Sequence, residues 1–327
     1  MREIDLIIPF HRPIDRYLLG AIESAQNSVG VLVNLLLIND RAENADSSRA
    51  LRKMGHRVID SENIGYANCI NLGIEKSNSE FIGILNSDDL QNHDRLRKQI
   101  GKMIFDGTMM SICKLRKFKN GRKIHELSGS QMKGDYNRVQ LLLGAYGANA
   151  SLILKRNSTV YGSFRDVDMS DWEYGFRNYS EKISYLEEEM YLYRMHPGQI
   201  TRNKVNTPEW LFYEWSNLFR TISEFEVPNP VIEACSRPNL ITKLEFEDLI
   251  LLAEVLSQIQ STLLSMGGNS ADEINGLITR RFILASKNRF LFSKDAFRLI
   301  NSSPSKLLHV ISKLAFELAS NGYGSRR

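Results

Sequence analysis

The stretch Glu80–Asp89 reads EFIGILNSDD, a short apolar run that ends in two adjacent acidic residues. Apolar runs of four to eight residues without polar alternation are typical of strands buried on both faces of a sheet. Three more strand candidates precede it in the chain: Ile4–Pro9, Val31–Ile38 and His56–Asp60. The sequence therefore predicts a parallel sheet whose fourth strand carries Asp88 and Asp89 at its carboxyl end.

Helical periodicity fills the intervals between these strands, over Ile14–Gln26, Ser47–Met54 and Tyr66–Lys76. This alternation is typical of an α/β fold with helices on both faces of the sheet. Such sheets bind ligands beyond the carboxyl ends of their strands. The site is therefore expected where three segments meet: Pro9–Arg12, Asn39–Arg41 and Asn86–Asp89.

The pattern changes twice further along the chain. Residues 105–205 are mixed, with strands predicted at Met109–Lys117, Arg122–Glu126, Ser151–Leu154, Ile183–Leu186 and Met190–Arg194, and a helix at Asp171–Tyr179. Another helix is predicted just before this region, at Asn92–Met103. Residues 206–327 are mainly helical and include a long amphipathic helix at Glu245–Met266. We predict a domain over residues 1–205, made of the halves 1–104 and 105–205, and then a helical region.

Composition excludes several classes of protein. A net charge of +4 on 327 residues does not favour nucleic-acid binding. Three separated cysteines exclude a disulfide scaffold and a zinc knuckle, and neither a signal peptide nor a membrane span is predicted. We therefore expect a cytoplasmic protein. The stretch Lys306–Leu318 leaves open a helix docked on the inner face of the membrane, beside an ordinary packed helix.

Each acidic residue at a strand end admits two interpretations. Asp88 and Asp89 repel each other unless a cation or sugar hydroxyls neutralise them, but either could instead cap the helix predicted at Asn92–Met103. Asp40 could bind a ligand or close an Asx-turn, and its neighbour Asn39 can hydrogen-bond a base edge. The residues alone leave these alternatives open.

Four blocks, in order, resemble the inverting family 2 glycosyltransferases. They are IIPFHRP at Ile7–Pro13, LINDRAENADSS at Leu37–Ser48, Asn63-Ile64-Gly65 through Asn71-Leu72-Gly73, and LNSDDLQNHDRLRKQ at Leu85–Gln99. The family's usual forms are IIPTYNR, VVDDGSTD, N-x-G…N-x-G and LDSDDxxxPxRLexQ. The resemblance implies the Rossmann-like GT-A fold and transfer of a sugar, with UDP as the expected donor nucleotide, to an acceptor hydroxyl.

The resemblance also implies roles for single residues. The donor would be bound by Pro9, Phe10, His11, Asn39, Asp40, Asn71, Asn86 and Asp88. A Mn²⁺ or Mg²⁺ ion would be held by Asp89, expected nearest the metal, together with Asp88 and His196. The chain departs from the family where Asn39 and Asn86 replace aspartates and where His93 replaces a proline. We expect the metal despite the charge lost at Asn86.

Two later blocks resemble the acceptor side of the family. YGSFRDVDMSDWEYGFR at Tyr161–Arg177 resembles GGFDE…EDWDLWLR, whose aspartate is the catalytic base, and this position is Asp171 here. YRMHPGQIT at Tyr193–Thr201 resembles YRxHxxSxS and contains His196. The cations around it could supply positive charge to the leaving diphosphate: Arg194, Arg202 and Lys204. The alternatives are a capping box of Ser170 and Glu173, a surface histidine and a solvated basic loop.

Taken together, the sequence predicts an inverting, metal-dependent glycosyltransferase of surface polysaccharide or glycoconjugate assembly. Its acceptor would be a glycan, a lipid-linked sugar or a polyol phosphate, and a homo-oligomer is left open. A non-catalytic nucleotide-sugar or glycan-binding protein and a sugar nucleotidyltransferase remain as alternatives. The second is disfavoured because Pro9–Asp15 lacks the glycine and lysine expected in a signature loop.

Overall fold

The structure is a computed structural model that describes residues 1–119, 121–123, 142, 149–156, 163–167, 170–178, 183–198, 209–223, 225–236 and 246–265. The chain forms two compact units. The first contains Met1–Leu127 and Tyr146–Val205, and the second contains Ser128–Ala145 and Asn206–Arg327. The predicted domain boundary after residue 205 stays a prediction. The predicted division of residues 1–205 into two halves stays a prediction.

One mixed sheet forms the centre of the first unit. Its strands are β1 (Arg2–Phe10), β2 (Val31–Asn39), β3 (Arg57–Asp60), β4 (Phe81–Ile84), β5 (Leu90–Gln91), β6 (Met110–Lys119), β7 (Arg122–Lys123), β8 (Ile153–Lys155) and β9 (Ile183–Arg194). They lie in the order β3-β2-β1-β4-β8-β6-β9-β5, with β7 beside β6. β1 to β4 are parallel, as are β6 and β9, whereas β8 runs antiparallel to both β4 and β6. The predicted α/β class with a mixed sheet is confirmed.

Five helices accompany this sheet among the described residues: α1 (Arg16–Gln26), α2 (Ala45–Lys53), α3 (Tyr66–Lys76), α4 (Arg95–Asp106) and α5 (Ser170–Arg177). Alternate residues of β1 enter two separate cores. Ile4, Leu6 and Ile8 pack with side chains of α1, α2 and α4, whereas Ile7 packs with side chains of α3 and α5. This two-sided burial explains why β1, β2 and β4 are continuous apolar runs.

The close approach of α3 to β1 explains one glycine of the family-like pattern. A Cβ atom at Gly73 would lie 2.7 Å from the side chain of Ile7, which is fully buried. Ile7 cannot yield this space without disturbing the core, because packed interiors tolerate little added volume. Gly73 therefore fixes how close α3 lies to the sheet.

Three details differ from the sequence-based expectations. The two short strands predicted at Ile183–Leu186 and Met190–Arg194 are one continuous strand, β9, with irregular pairing to β6 at Cys113–Leu115. The fourth helix begins at Arg95 rather than Asn92, since residues 92–94 form a turn. The short strand β5 was not predicted, because two residues carry no periodicity.

The side chain of Asp5 clamps the connection between α3 and β4. It is 3% exposed and accepts hydrogen bonds from the backbone N–H groups of Asn78 and Ser79, from Ser79 Oγ and from Asn34 Nδ2. Burial alone would raise the pKa of Asp5, but the hydrogen bonds from Ser79, Asn78 and Asn34 outweigh it and lower the pKa.

We predict that Asp5→Asn lowers the free energy of unfolding at pH 7 by about 2 kcal/mol, the usual scale for hydrogen bonds to a buried charge. Because the folded-state pKa is lowered, this stabilisation is present above the unfolded pKa and is lost as the pH falls through the folded one. Urea unfolding from pH 7 downwards measures it. The control Asp46→Asn, at an exposed acid, should change stability little. An equal loss at every pH would contradict the assignment.

The second unit is helical where the structure describes it. Its helices are α6 (Glu209–Ile222), α7 (Asn229–Ser236) and α8 (Phe246–Ser265), and the buried side chains include Trp215, Val231 and Val255. Within the described ranges, no helix is both long and apolar enough to cross a membrane. The stretch Lys306–Leu318 lies outside the described residues, so its docking stays a prediction, as does the cytoplasmic location.

Candidate active site

The predicted site residues gather at one edge of the sheet in the first unit. Because β1, β2, β4, β6 and β9 share one direction, their carboxyl ends lie along the same edge. The turn after β1 carries His11, the turn after β2 carries Asp40, and the turn after β4 carries Asp88. The edge that the strand order predicts is therefore also the edge where these polar side chains lie.

Asp40 is held by the loop between β3 and α3. Its Oδ1 accepts hydrogen bonds from the N–H of Ile64 (2.7 Å) and from Ser61 Oγ (3.1 Å), and its Oδ2 accepts one from the N–H of Gly65 (3.0 Å). The loop turns these amides towards Asp40 through positive φ angles at Asn63 (52°) and Gly65 (83°). A carboxylate offers about four acceptor positions, so about one remains for a ligand.

Two other residues predicted to bind the donor are engaged in the fold instead. Asn39 is 1% exposed, and its amide hydrogens go to Ser48 Oγ and Asp60 Oδ1. The ring of Phe10 is 2% exposed and packs in the core. Their burial argues against base contacts by either side chain, although the Phe10 carbonyl does accept the N–H of Asp40. Pro9 is likewise buried, within β1.

The adjacent carboxylates Asp88 and Asp89 have opposite environments. Asp89 is fully buried, and its side chain accepts hydrogen bonds from Arg194 N–H (2.8 Å), Tyr191 Oη (2.7 Å) and Asn86 Nδ2 (3.2 Å). Burial, and secondly the charge of Asp88, raises the pKa of Asp89 to about 7. The side chain of Asp88 is 32% exposed. Asp89 therefore joins β9 to the turn after β4, and this argues against its predicted place nearest the metal.

Asn86 has a structural reason to lack the charge that the family pattern has at this position. Its amide donates to Asp89 Oδ2, and its Oδ1 accepts from Tyr66 Oη at 3.1 Å. An aspartate here would set a second carboxylate against Asp89, which is already buried. Since α4 begins at Arg95 with Asp94 at its cap position, neither Asp88 nor Asp89 caps that helix.

Asp88 faces the segment that follows β9. Its Oδ2 lies 2.9 Å from Nε2 of His196, and its backbone carbonyl accepts from Nε of Arg194 at 2.8 Å. The guanidinium of Arg194 stacks between the rings of Tyr17 and Phe118, 4.7 Å from each centroid. His196 is thus a buried partner of Asp88 rather than a surface residue, and Arg194 is fixed beside it.

His11 follows β1, which lies between β2 and β4 in the sheet. Burial lowers the pKa of His11, and the positive charges of Arg12 and Arg41 lower it further, against smaller opposing effects of Asp40 and Asp88. The imidazole is therefore neutral at pH 7. The charges of Asp40 and Asp88 both act on this imidazole, so these two carboxylates, which are 48 positions apart in the chain, lie near the same side chain.

The acceptor-side segment is attached to α3. Asn71, predicted to bind the donor, instead exchanges two hydrogen bonds of 2.8 Å with the backbone of Phe164, whose ring stacks on Tyr174 at 4.0 Å. Glu173 pairs with Arg177 and Arg165 rather than closing a capping box. Asp171 lies in the first turn of α5, and its side chain is outside what the structure describes. Arg202 and Lys204 lie outside the described residues.

Several contributors to the site were missed by the sequence reasoning. Tyr191 and Arg95 form a buried group with Asp89, in which the Arg95 guanidinium lies 5.2 Å from the Tyr191 ring centroid. Arg95 is fully buried and donates to the carbonyls of Ile84 and Ser151. The arginine of the RLRKQ block was the available signal for this group. Tyr17 carried no comparable signal.

The residues present can be tested for their fit to a divalent cation. Among the described residues, no cluster of three or more His, Cys, Asp or Glu could hold a metal. A hard cation that also binds phosphates takes one or two carboxylates from the protein. Asp88 can supply one such carboxylate, because its side chain is partly exposed and has His196 beside it. Asp89 cannot, because its side chain is fully buried.

This mixed sheet, with helices on both faces and polar side chains at its carboxyl edge, is a GT-A-like fold. The crystal structure of S. aureus TarS 1–349 in complex with UDP-GlcNAc is similar in fold, with a TM-score of 0.53 at 13% identity, over 100% of this chain and 93% of that one. Residues 5–153 match the family described as Glycosyl transferase family 2. The match covers a little under half of the chain, and over these residues the chain resembles that family.

Two curated relatives agree with this assignment. Glycosyltransferase GlyA of Streptococcus pneumoniae serotype 4 is 20% identical over 229 residues, which are 64% of this chain and 32% of that protein. An uncharacterized glycosyltransferase of Haemophilus influenzae is 24% identical over 227 residues, 64% of this chain and 86% of that protein. The chain thus matches about a third of the length of the pneumococcal protein.

Proposed function

We propose that this chain is an inverting glycosyltransferase that moves a sugar from a UDP-sugar to an acceptor hydroxyl. The observation that carries the proposal is the convergence of Asp40, His11, Asp88 and His196 at one sheet edge of a family 2 domain. The alternative, a non-catalytic nucleotide-sugar-binding protein, would need only the residues that bind the donor and no catalytic base. The family assignment favours catalysis over that alternative.

The donor side follows from the chemistry of these residues. The remaining acceptor position of Asp40 suits one N–H of a base such as uracil. The solved complexes of the similar TarS fold contain UDP and UDP-GlcNAc, which supports UDP as the nucleotide. Arg194, already fixed beside Asp88, would add positive charge near the diphosphate.

A divalent cation, Mn²⁺ or Mg²⁺, belongs to the proposal. Asp88 would hold it, with His196 as a further ligand or as a contact to the diphosphate. When bound, such an ion supplies positive charge that stabilises the departing diphosphate. We therefore assign the place nearest the metal, which the sequence predicted for Asp89, to Asp88. Asp89 instead accepts hydrogen bonds from Tyr191 and from the Arg194 N–H, and these bonds fix the turn after β4.

The chemical step needs one base. We assign it to Asp171, as the family pattern implies. Its carboxylate would accept the proton of the acceptor hydroxyl while that oxygen forms a bond to the anomeric carbon. On the opposite face, the bond from the anomeric carbon to the diphosphate oxygen breaks, and the nucleoside diphosphate leaves with the bonding electrons. A single displacement of this kind inverts the anomeric centre.

The proposal predicts that UDP stabilises the folded chain when Mn²⁺ is present. A ligand at one hundred times its Kd adds about 2.7 kcal/mol, which corresponds to a rise in Tm of about 5 °C or more for a domain of this size. Thermal unfolding with UDP, CDP and GDP, each with Mn²⁺, Mg²⁺ or EDTA, measures it. The absence of a shift with every nucleotide would refute the proposal.

Turnover separates an enzyme from a binding protein. Incubation of a panel of UDP-sugars with the chain and Mn²⁺ should release UDP by slow hydrolysis of the matching donor, even without an acceptor. A UDP-dependent rise in Tm without release from any donor, with or without candidate acceptors, would favour the non-catalytic alternative.

A further inference from the structure

The hairpin formed by β6 and β7 carries an unusual density of positive charge. The segment Lys114–Lys123 reads KLRKFKNGRK, with six basic residues in ten positions and no acidic one. Four of these side chains belong to exposed residues: Arg116, Lys119, Arg122 and Lys123. A charged run is usually a solvated face, so its arrangement decides whether it has another role.

The pairing register concentrates like charges at the tip of the hairpin. Lys119 lies directly opposite Arg122, next to the turn at Gly121. Like charges at directly opposite positions of a sheet destabilise it. Nearer the base, Arg116 and Lys123 share a single acid, Glu189, at 2.8 and 2.9 Å. One carboxylate thus balances two cations there, and the tip retains an excess of positive charge.

The end of β6 nearest the turn also contacts the candidate active site. The ring of Phe118, the residue before Lys119, packs against the guanidinium of Arg194, and its carbonyl accepts the N–H of Met195 at 2.8 Å. Arg194 in turn donates to the Asp88 carbonyl. Since β6 runs parallel to β9, both strands lead to the same edge, and Lys119 follows immediately after the residue that contacts the site.

We propose that the β6–β7 hairpin binds an acceptor polymer with repeated anionic groups and holds it beside the donor site. The proposal rests on the proposed transferase function and narrows its acceptor class. A polymer with phosphate or carboxylate groups at regular spacing would neutralise Lys119 and Arg122 together and relieve their mutual repulsion. Displacement of its counterions would drive binding, so the affinity would fall steeply with salt.

The test compares two double charge reversals in the full chain. Lys119→Glu with Arg122→Glu removes the tip cations and leaves two like charges opposite each other, as in the parent. Lys53→Glu with Lys76→Glu makes the same change in net charge at exposed positions on α2 and α3. The neutral pair Lys119→Gln with Arg122→Gln is a second hairpin variant, for use if the reversal lowers the Tm.

Binding is measured by fluorescence anisotropy of labelled polyphosphate, labelled polygalacturonate and neutral dextran over a range of salt concentrations. The parent should bind at least one polyanion and no dextran. The hairpin variant should bind it at least tenfold more weakly, with a slope of log affinity against log salt reduced by about 1 to 2. The control should differ less than twofold. Preference for either polyanion identifies the anionic group and supports the proposal.

Three results would overturn the inference. These are no binding of either polyanion, equal losses in the hairpin and control variants, and binding confined to anionic phosphatidylglycerol vesicles, which would identify a membrane contact instead. A UDP thermal shift on the same samples separates the two proposals. If UDP raises the Tm but neither polyanion binds, the proposal of an anionic acceptor polymer is rejected and the transferase proposal stands. Polyanion binding without any UDP shift rejects the acceptor role of the hairpin together with the transferase proposal.

Discussion

Asp171→Asn is expected to lower kcat for sugar transfer about 10³-fold and to leave the affinity for the donor unchanged. The substitution keeps the size of the side chain but removes its ability to accept a proton from the acceptor hydroxyl. General-base catalysis contributes about 10²–10⁴-fold, so a 10³-fold loss corresponds to about 4 kcal/mol of transition-state stabilisation. Single-turnover transfer measures the loss, and the Tm shift with UDP measures donor binding.

Asp166→Asn is the matched control for this prediction. Asp166 is an exposed acid in the segment before α5, and its Oδ1 would lie 3.4 Å from a Cβ at Gly65, beside the loop that holds Asp40. We expect less than a fivefold effect there. If Asp166→Asn lost transfer and Asp171→Asn retained it, the base would be Asp166. Strong turnover in both variants would refute base catalysis from this segment.

Much of the sheet could be predicted from the sequence, because strands buried on both faces leave a clear signal. Val31–Ile38 is a run of apolar residues with one interruption, and it is β2 apart from one residue at its end. Helix α3 begins at Tyr66 and ends at Lys76, as its periodicity predicts. The strand ends then predicted where the candidate site lies, since parallel strands bring their following turns to one edge.

β9 was predicted as two strands for an equally physical reason. Glu187, Glu188 and Glu189 interrupt its apolar pattern and suggest a loop. In the fold, Glu188 pairs with Lys98, and Glu189 pairs with cations of the β6–β7 hairpin. The partners that make an acidic strand tolerable come from distant parts of the chain, and no local pattern contains them.

The division of roles between Asp88 and Asp89 was also beyond the sequence. Both residues are aspartates in a turn, where no periodicity indicates which side chain points inwards. Their difference arises from Tyr191 and Arg194, more than a hundred residues later, whose hydrogen bonds converge on Asp89. The sequence indicated the acidic pair as a candidate but could not distinguish the buried carboxylate from the exposed one.

The two aspartates can be separated by experiment. Asp88→Asn should weaken Mn²⁺-supported binding of UDP about 10- to 100-fold, because the exposed carboxylate beside His196 is the proposed ligand. In EDTA, the variant and the parent should bind UDP equally. The Tm without ligand should change little, since this side chain is partly solvated. Isothermal titration with and without Mn²⁺ measures the difference.

Asp89→Asn should instead lower the stability of the fold. Three donors converge on this buried carboxylate, and an asparagine would turn its own N–H₂ group towards at least one of them. A buried donor without an acceptor costs about 1–3 kcal/mol, or about 2–12 °C in Tm for a domain of this size. If Asp89→Asn kept its Tm but lost Mn²⁺-supported binding while Asp88→Asn bound normally, the assignment of the metal to Asp89 would be restored. The two variants therefore test whether the exposed carboxylate of Asp88 or the carboxylate at the family's usual position, Asp89, binds the cation.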